Sequence, residues 1–279
     1  MMTELPELED ILLSRRQSAL IVMLNRPQVR NALNGAMISS LLTLCDWLAE
    51  NDDMRMVVLR GAGSSFCAGG DIKEFGQMVM AEEPAAGEAD PVARNNRIFG
   101  DVLLKMDAIP QVLVTLIEGS AFGGANGFIS VSDVSIAEGH ARFSLSETTL
   151  GVPPAQIGPF LVRRMGLYNA RRLALTGAHF GAQEACRIGL VDRVVNGDAG
   201  LEGALAEILS QIGRCEPKAN AVTKAIFNRA APPIDAAQLD QAAEEFAECL
   251  RGEGRKGAMA FAQKETPPWL ESFAAVKET

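Results

Sequence analysis

Four glycines fall within the nine residues Gly119-Ser-Ala-Phe-Gly-Gly-Ala-Asn-Gly127, directly after the apolar run Gln111-Val-Leu-Val-Thr-Leu-Ile. Such a turn hands a strand over to a helix, because residues without a side chain follow a sharp change of direction without strain and leave backbone N–H groups exposed. The same handover occurs earlier. Arg60-Gly-Ala-Gly-Ser-Ser-Phe-Cys-Ala-Gly-Gly-Asp-Ile-Lys73 follows the strand-like Met56-Val-Val-Leu and opens onto a polar, helix-compatible run. Two strand-to-helix turns of this kind can converge on one oxygen and form an oxyanion hole, in which preorganised donors stabilise developing negative charge. Glu147 lies downstream in Phe143-Ser-Leu-Ser-Glu-Thr-Thr-Leu-Gly-Val-Pro-Pro, apolar enough for a desolvated carboxylate with a raised pKa. Turn donors and a carboxylate together suggest chemistry on a carbonyl.

The strand-like runs (Ala19–Leu24, Met56–Leu59, Gln111–Ile117 and Val131–Ala137) alternate with helical periods. In Asn31–Glu50, for example, Leu33, Met37, Leu41, Leu44 and Leu48 recur every three or four residues. This alternation predicts an α/β fold with a largely parallel sheet. After Val195 the pattern turns helical throughout: Leu201, Leu205, Ile208 and Ile212 share a face, and Ala236–Leu250 and Lys256–Lys264 follow a Pro232-Pro233 break. We therefore divide the chain into a core of residues 1–196 and a helical region of residues 197–279.

Composition excludes several classes. A net charge of −9 without a dense Lys/Arg cluster disfavours nucleic acid. The five cysteines are scattered, with no Cys-x-x-Cys and no histidine at metal-ligand spacing, so no metal site is expected and Cys67 reads as a packing residue. Histidines 140 and 179 alone furnish no nucleophilic triad, and both read as structural. No apolar stretch reaches the roughly 18 residues of a membrane span and the first residues lack a leader pattern, so a cytoplasmic location is expected.

Phe66-Cys-Ala-Gly-Gly-Asp-Ile-Lys, Gly-Ser-Ala-Phe-Gly-Gly, Leu24-Asn-Arg-Pro-Gln-Val-Arg-Asn-Ala-Leu and Leu175-Thr-Gly with Ala185-Cys-Arg-Ile-Gly-Leu-Val-Asp together resemble the crotonase (enoyl-CoA hydratase/isomerase) superfamily from about Leu12 to Phe261. The resemblance implies a spiral of ββα units with a C-terminal helical trimerisation region, a homotrimer or homohexamer, and an acyl-CoA thioester as substrate, with no separate cofactor. It implies Ala68 and Gly124 as the two amide donors, with Gly69, Gly70, Asp71, Ile72 and Gly123 beside the pantetheine. Arg26, Arg30, Lys73 and Lys264 become candidates to meet the anionic CoA, and Phe261 for its adenine.

Hydratases of this superfamily resemble two-glutamate devices. Glu147 matches the second glutamate, but the first position is Gly127, so Glu147 must do most of the acid/base work alone, with Asn126 a candidate to place a water. This combination, with Pro153-Pro-Ala-Gln-Ile-Gly-Pro, resembles hydratases of glutaconyl-type thioesters (isohexenylglutaconyl-CoA or 3-methylglutaconyl-CoA). Gly127 would then make room for a branched acyl chain, and Arg97 and Arg94 would hold the distal carboxylate. The small, acidic, Met-bearing stretch Gly76–Asp90 is expected to form a lid over the acyl site. Two other functions fit the same residues: an enoyl-CoA isomerase running on one carboxylate, and a non-catalytic CoA-binding protein.

Overall fold

The computed structural model describes residues 4–80, 84, 85 and 87–271. Among the described residues nine strands carry the core: β1 (Ile11–Arg16), β2 (Ala19–Leu24), β3 (Met56–Gly61), β4 (Val112–Ile117), β5 (Ser120–Phe122), β6 (Val134–Glu138), β7 (Arg142–Ser144), β8 (His179–Gly181) and β9 (Arg193–Val195). Between and after them run α1 (Gly35–Glu50), α2 (Ile72–Val79), α3 (Pro91–Ala108), α4 (Ala125–Ser130), α5 (Gly158–Thr176), α6 (Ala182–Arg187), α7 (Gly197–Gly213), α8 (Pro217–Ala230), α9 (Ala236–Cys249) and α10 (Arg255–Gln263).

The larger sheet has the order β1-β2-β3-β4-β6-β9, and the smaller β5-β7-β8. Only the β1/β2 hairpin is antiparallel in the first; β2, β3, β4, β6 and β9 pair in parallel, with Ala19 opposite Met56 and Val114 opposite Val134. Parallel pairing with helical crossovers buries strands on both faces, which is why β3 reads Met-Val-Val-Leu instead of alternating with polar residues.

Helix α1 begins where Asn34 accepts from the Met37 amide, a cap that ends the preceding loop three residues after the expected start. Its Met37, Leu41, Leu44 and Leu48 are buried in the central core, each worth about 1.5–3 kcal/mol of transfer free energy. The expected strand from Val131 starts only at Val134, because Val131 closes α4 and Asp133 makes the turn into the sheet, its carboxylate accepting from the Leu113 amide.

Strands end at residue 195, but packing does not. Leu201, Ala204 and Leu205 of α7 are buried with Val58, Val114, Leu116 and Ile136 on the other face of the larger sheet. Helices α9 and α10 fold back onto α3 and α2, where Ala243, Phe246, Ala247, Leu250 and Ala258 share a core with Val79, Val92, Ala93 and Val152. These two helices thus bury part of their apolar surface on their own chain, while Met259 and Phe261 of α10 remain exposed. Helix α8, in contrast, has no buried residue and exposes Val222, Ile226 and Phe227. Among the described residues no helix is long and apolar enough to cross a membrane.

Candidate functional site

The two glycine turns are stitched together. Cys67 and Ala121 form a parallel bridge, with the Cys67 amide donating to Ser120 O (2.9 Å) and the Phe122 amide to Cys67 O (3.1 Å). Contact this close needs glycine: a Cβ on Gly69, whose φ is +88°, would stand 2.9 Å from Phe122 O and 3.7 Å from Gly123 Cα. Cys67 is fully buried and its thiol is pushed up to about 12 by burial, which makes it the expected packing residue.

The first amide donor is not where the family pattern was read to put it. The Ala68 N–H donates to Arg30 O at 3.0 Å, so the expectation for Ala68 is corrected. The free amide is Gly70. Leu33 bridges to Gly70 in parallel, and the bridge uses Gly69 O and the Asp71 N–H, each at 2.8 Å, so Gly70 N–H is left on the opposite edge. Gly70 also has open space where a side chain would stand. In the second turn the Gly123 amide donates to Ser144 O at 3.0 Å, while Gly124 N–H donates to no described residue. Gly70 in the first turn and Gly124 in the second therefore carry amides uncommitted among the described residues.

Glu147 opens a 3-10 turn, Glu147–Leu150, held to the second glycine turn through Ser144 O and to α5 by Thr148 Oγ1 donating to Ala174 O. Its Oε1 lies 3.4 Å from the position of a Cβ on Gly123. The residue as a whole is half-buried, yet Oε2 is sealed from solvent and has no hydrogen-bond partner among the described residues. Burial pushes the carboxyl up from 4.5 to about 7, against a smaller lowering by its own backbone amide. Glu147 is thus poised to exchange a proton near neutral pH.

The space opposite is apolar. A Cβ on Gly127 would stand 2.8 Å from Ile157 Cγ2 and 3.0 Å from Leu103 Cδ1, and one on Gly124 would meet Leu33 Cδ1 at 3.1 Å and Phe99 Cε1 at 3.2 Å. The expectation that Gly127 leaves room for a branched acyl chain is corrected, since the chain's own Ile157 and Leu103 fill that room. Leu33, Phe99, Leu103 and Ile157 were missed as walls of the site. The spacing of 99 and 103, one helical turn apart, was the available signal.

Several expected ligand contacts are spent internally. Arg26 pairs with Asp71 (2.8 Å) and Asp10 (3.3 Å) and donates to Ala32 O (2.6 Å), so neither Arg26 nor Asp71 is free to meet CoA. Burial would raise the Asp71 carboxyl, but hydrogen bonds from the Arg26 guanidinium and the Lys73 amide outweigh it and hold it below its ordinary value. Asp71 also caps α2. Asn126 is fully buried and its Nδ2 donates to Ala121 O, Gly123 O and Ser144 O, tying the glycine turn to β7, while its Oδ1 is buried with no partner among the described residues. Arg97 is locked between Asp101 (2.7 Å) and Asp240 (2.6 Å), which corrects its assignment to a substrate carboxylate.

The remaining candidates are open. Arg30, Lys73, Arg94 and Lys264 are exposed and their side chains pair with no described residue; Ile72 and Phe261 are 55% and 52% exposed. Of the expected lid, residues 81–83 and 86 lie outside the described residues; at its end Asp90 caps α3 and receives Arg251 Nε and Nη2 at 2.6 and 2.8 Å. His140 and His179 are exposed, the latter edge-on to Phe122. Among the described residues no group of three or more His, Cys, Asp or Glu is placed to hold a metal.

The model of the enoyl-CoA hydratase/isomerase family matches residues 14–272. The chain is 32% identical over 262 residues to 2,3-dehydroadipyl-CoA hydratase of Escherichia coli (strain K12), covering 93% of this chain and 98% of that protein. It is 32% identical over 262 residues to a short-chain-enoyl-CoA hydratase of Clostridium acetobutylicum, covering 92% and 96%. Among solved structures it resembles an enoyl-CoA hydratase/isomerase from Marinobacter aquaeolei (TM-score 0.77, 41% identity, 93% and 98% covered). It also resembles Pseudomonas aeruginosa AtuE (TM-score 0.76, 45% identity, 94% and 99% covered). With its fold, its paired glycine turns and a match over nearly its full length, the chain belongs to the enoyl-CoA hydratase/isomerase family, the crotonase superfamily.

Proposed function

We propose that this enzyme, of enoyl-CoA hydratase type and acting on acyl-CoA, adds water across the double bond of a glutaconyl-type branched enoyl-CoA, with Glu147 as its single acid/base. The observation that carries the reading is Glu147 itself: a carboxylate whose buried Oε2 has no partner among the described residues and whose pKa is raised to about 7, with Oε1 3.4 Å from a Cβ position on Gly123, next to the free Gly124 amide. The thioester oxygen accepts from both amides. Ionised Glu147 takes a proton from water as the oxygen bonds to Cβ, and the electron pair of the double bond moves onto the thioester oxygen, where the two N–H groups hold the enolate. Protonated Glu147 then returns that proton to Cα, so the product gains OH at Cβ and H at Cα. A group half-protonated near pH 7 does both halves of this exchange.

The glutaconyl reading is supported by the sequence resemblance carried by Gly127 with the Pro153–Pro159 segment, not by room at Gly127, and by a relative named for dehydroadipyl-CoA, itself an enoyl thioester with a second carboxyl group. Isohexenylglutaconyl-CoA, of acyclic terpene breakdown, is our first choice and 3-methylglutaconyl-CoA, of leucine breakdown, our second. We place the enzyme in the cytoplasm as a homotrimer or homohexamer, for which the exposed Val222, Ile226 and Phe227 of α8 offer apolar surface.

One observation favours a second reading. With Ile157 where a second carboxylate would stand, a lone Glu147 also suits an isomerase that carries a proton between Cα and Cγ. Incubating the enzyme with both glutaconyl thioesters, crotonyl-CoA and a 3-enoyl-CoA separates these by mass: hydration adds one water, isomerisation leaves the mass unchanged. If crotonyl-CoA is the best substrate by kcat/KM, the glutaconyl reading is wrong.

A further inference from the structure

Asn96 stands on α3 one turn before Phe99 and two before Leu103, the residues that lie against Gly124 and Gly127. Positions three and seven apart share a helix face, so the stripe that walls the glycine turn continues into Asn96. Its partner is Gln156, only 2% exposed and adjacent to Ile157. Gln156 Nε2 donates to Leu239 O and to Asn96 Oδ1, each at 3.0 Å. A backbone carbonyl only accepts, so Leu239 decides which end of the Gln156 amide is nitrogen; Gln156 in turn decides that Asn96 faces it with Oδ1. Asn96 Nδ2 is therefore turned away, with two N–H donors and no acceptor among the described residues.

This arrangement is unfavourable as packing alone. Gln156 Oε1 is buried without a partner, seated over Gly100, where any Cβ would collide with it. An apolar side chain of the same size would avoid that desolvation cost. The neighbouring Arg97 is neutralised by Asp101 and Asp240, and Arg94, two residues before Asn96, lies exposed on α3, so a substrate carboxylate at Asn96 gains no ion pair from Arg97.

We propose that Asn96 donates its Nδ2 hydrogens to the second carboxylate of the acyl group, and that Gln156 is the positioning residue that aims it. The assignment rests on the glutaconyl reading above. An amide NH2 donating to an ionised oxygen makes a charge-assisted hydrogen bond and gives specificity through the cost of leaving the donor unpaired with any other substrate. Crotonyl-CoA has no such group and gains nothing from Asn96.

The test measures kcat and KM for 3-methylglutaconyl-CoA and crotonyl-CoA with wild type, Asn96→Leu, Asn96→Asp and Gln156→Met, each checked for an unchanged melting profile. Asn96→Leu is expected to raise KM for the glutaconyl thioester about 10-fold or more and to leave crotonyl-CoA within about twofold. Asn96→Asp, which sets a negative charge against the carboxylate, raises it further. Gln156→Met gives a smaller loss on the same substrate alone. If wild-type preference for the glutaconyl thioester survives in Asn96→Leu, or both substrates suffer equally, the assignment is overturned while the substrate reading stands. A wild-type enzyme that hydrates crotonyl-CoA but no glutaconyl thioester overturns both.

Discussion

Ile157 fills the space that Gly127 leaves: its Cγ2 would be 2.8 Å from a Cβ at 127. The two residues are thus one unit of packing, and the absence of a carboxylate at 127 is matched by the apolar side chains of Ile157 and Leu103. Gly127→Ala alone is expected to cost about 1–3 kcal/mol by overpacking. Paired with Ile157→Ala it should recover part of that cost, giving a favourable coupling of at least about 0.5 kcal/mol in a denaturant double-mutant cycle. Strict additivity would show that the contact is not the constraint.

Glu147 ties activity and stability to pH in opposite directions. Its carboxyl is raised from 4.5 to about 7, so the folded protein holds the proton more tightly than the unfolded chain between those values. The contribution of Glu147 to stability is therefore greatest below about pH 4.5, falls as pH rises towards 7 and then levels, a loss of about 3 kcal/mol from this group. Glu147→Gln removes this loss, so the variant should melt above wild type at pH 8 and the gap should close towards pH 4. Its turnover should fall by roughly 10²–10⁴-fold with little change in ester affinity. A variant less stable than wild type at pH 8 contradicts the buried, unpaired carboxylate.

The ionised form of Glu147 takes the proton from water, so kcat/KM should rise about tenfold per pH unit below 7 and flatten above it. A profile that falls between pH 6 and 8 would assign the protonated form to the first step.

Gly70 and Ala68 separate by what their amides do. Gly70→Pro deletes an uncommitted N–H at a site with open space, so a folded variant is expected to lose about 10²–10³-fold in kcat. Gly70→Ala, which keeps the N–H, serves as the control and should retain most activity. Ala68→Pro removes the bond to Arg30 O and should be read first as a loss of melting temperature. Full activity in folded Gly70→Pro would falsify the donor assignment.

Arg26→Met strips the partner from Asp71 and Asp10 at the start of α2. Removing one member of a mostly buried pair leaves uncompensated charge, and a loss of about 2–3 kcal/mol is expected, reported by thermal unfolding. KM for a CoA thioester should change less than for Lys73→Ala or Arg30→Ala, whose side chains remain free.

The parts of this protein that were legible in its sequence are those set by local periodicity. The apolar spacing of Met37, Leu41, Leu44 and Leu48 marks α1, and the run Met56–Leu59 marks β3, because burial on a regular element repeats along the chain. Glu147 was legible through its apolar surroundings. The three-residue strands β5, β7 and β8 were not, being too short to show a period and held by partners far along the chain. Arg26 looked like a free cation because Asp71, 45 positions away, carries no local sign that it is the partner. The Ala68 amide looked free for the same reason, since its acceptor at Arg30 belongs to another loop.

The chain has two tryptophans, and Trp269 lies with its ring edge 2.9 Å from a Cβ position on Gly151 and against Gly257. Gly151 closes the turn that Glu147 opens. The indole is thus a built-in optical gauge on the far end of the turn that carries Glu147: with Trp47 replaced by phenylalanine, tryptophan emission comes from this one ring. Any ligand that shifts the turn by a fraction of an ångström changes what the ring packs against, and its arrival can be timed by stopped-flow fluorescence without a label or a turnover.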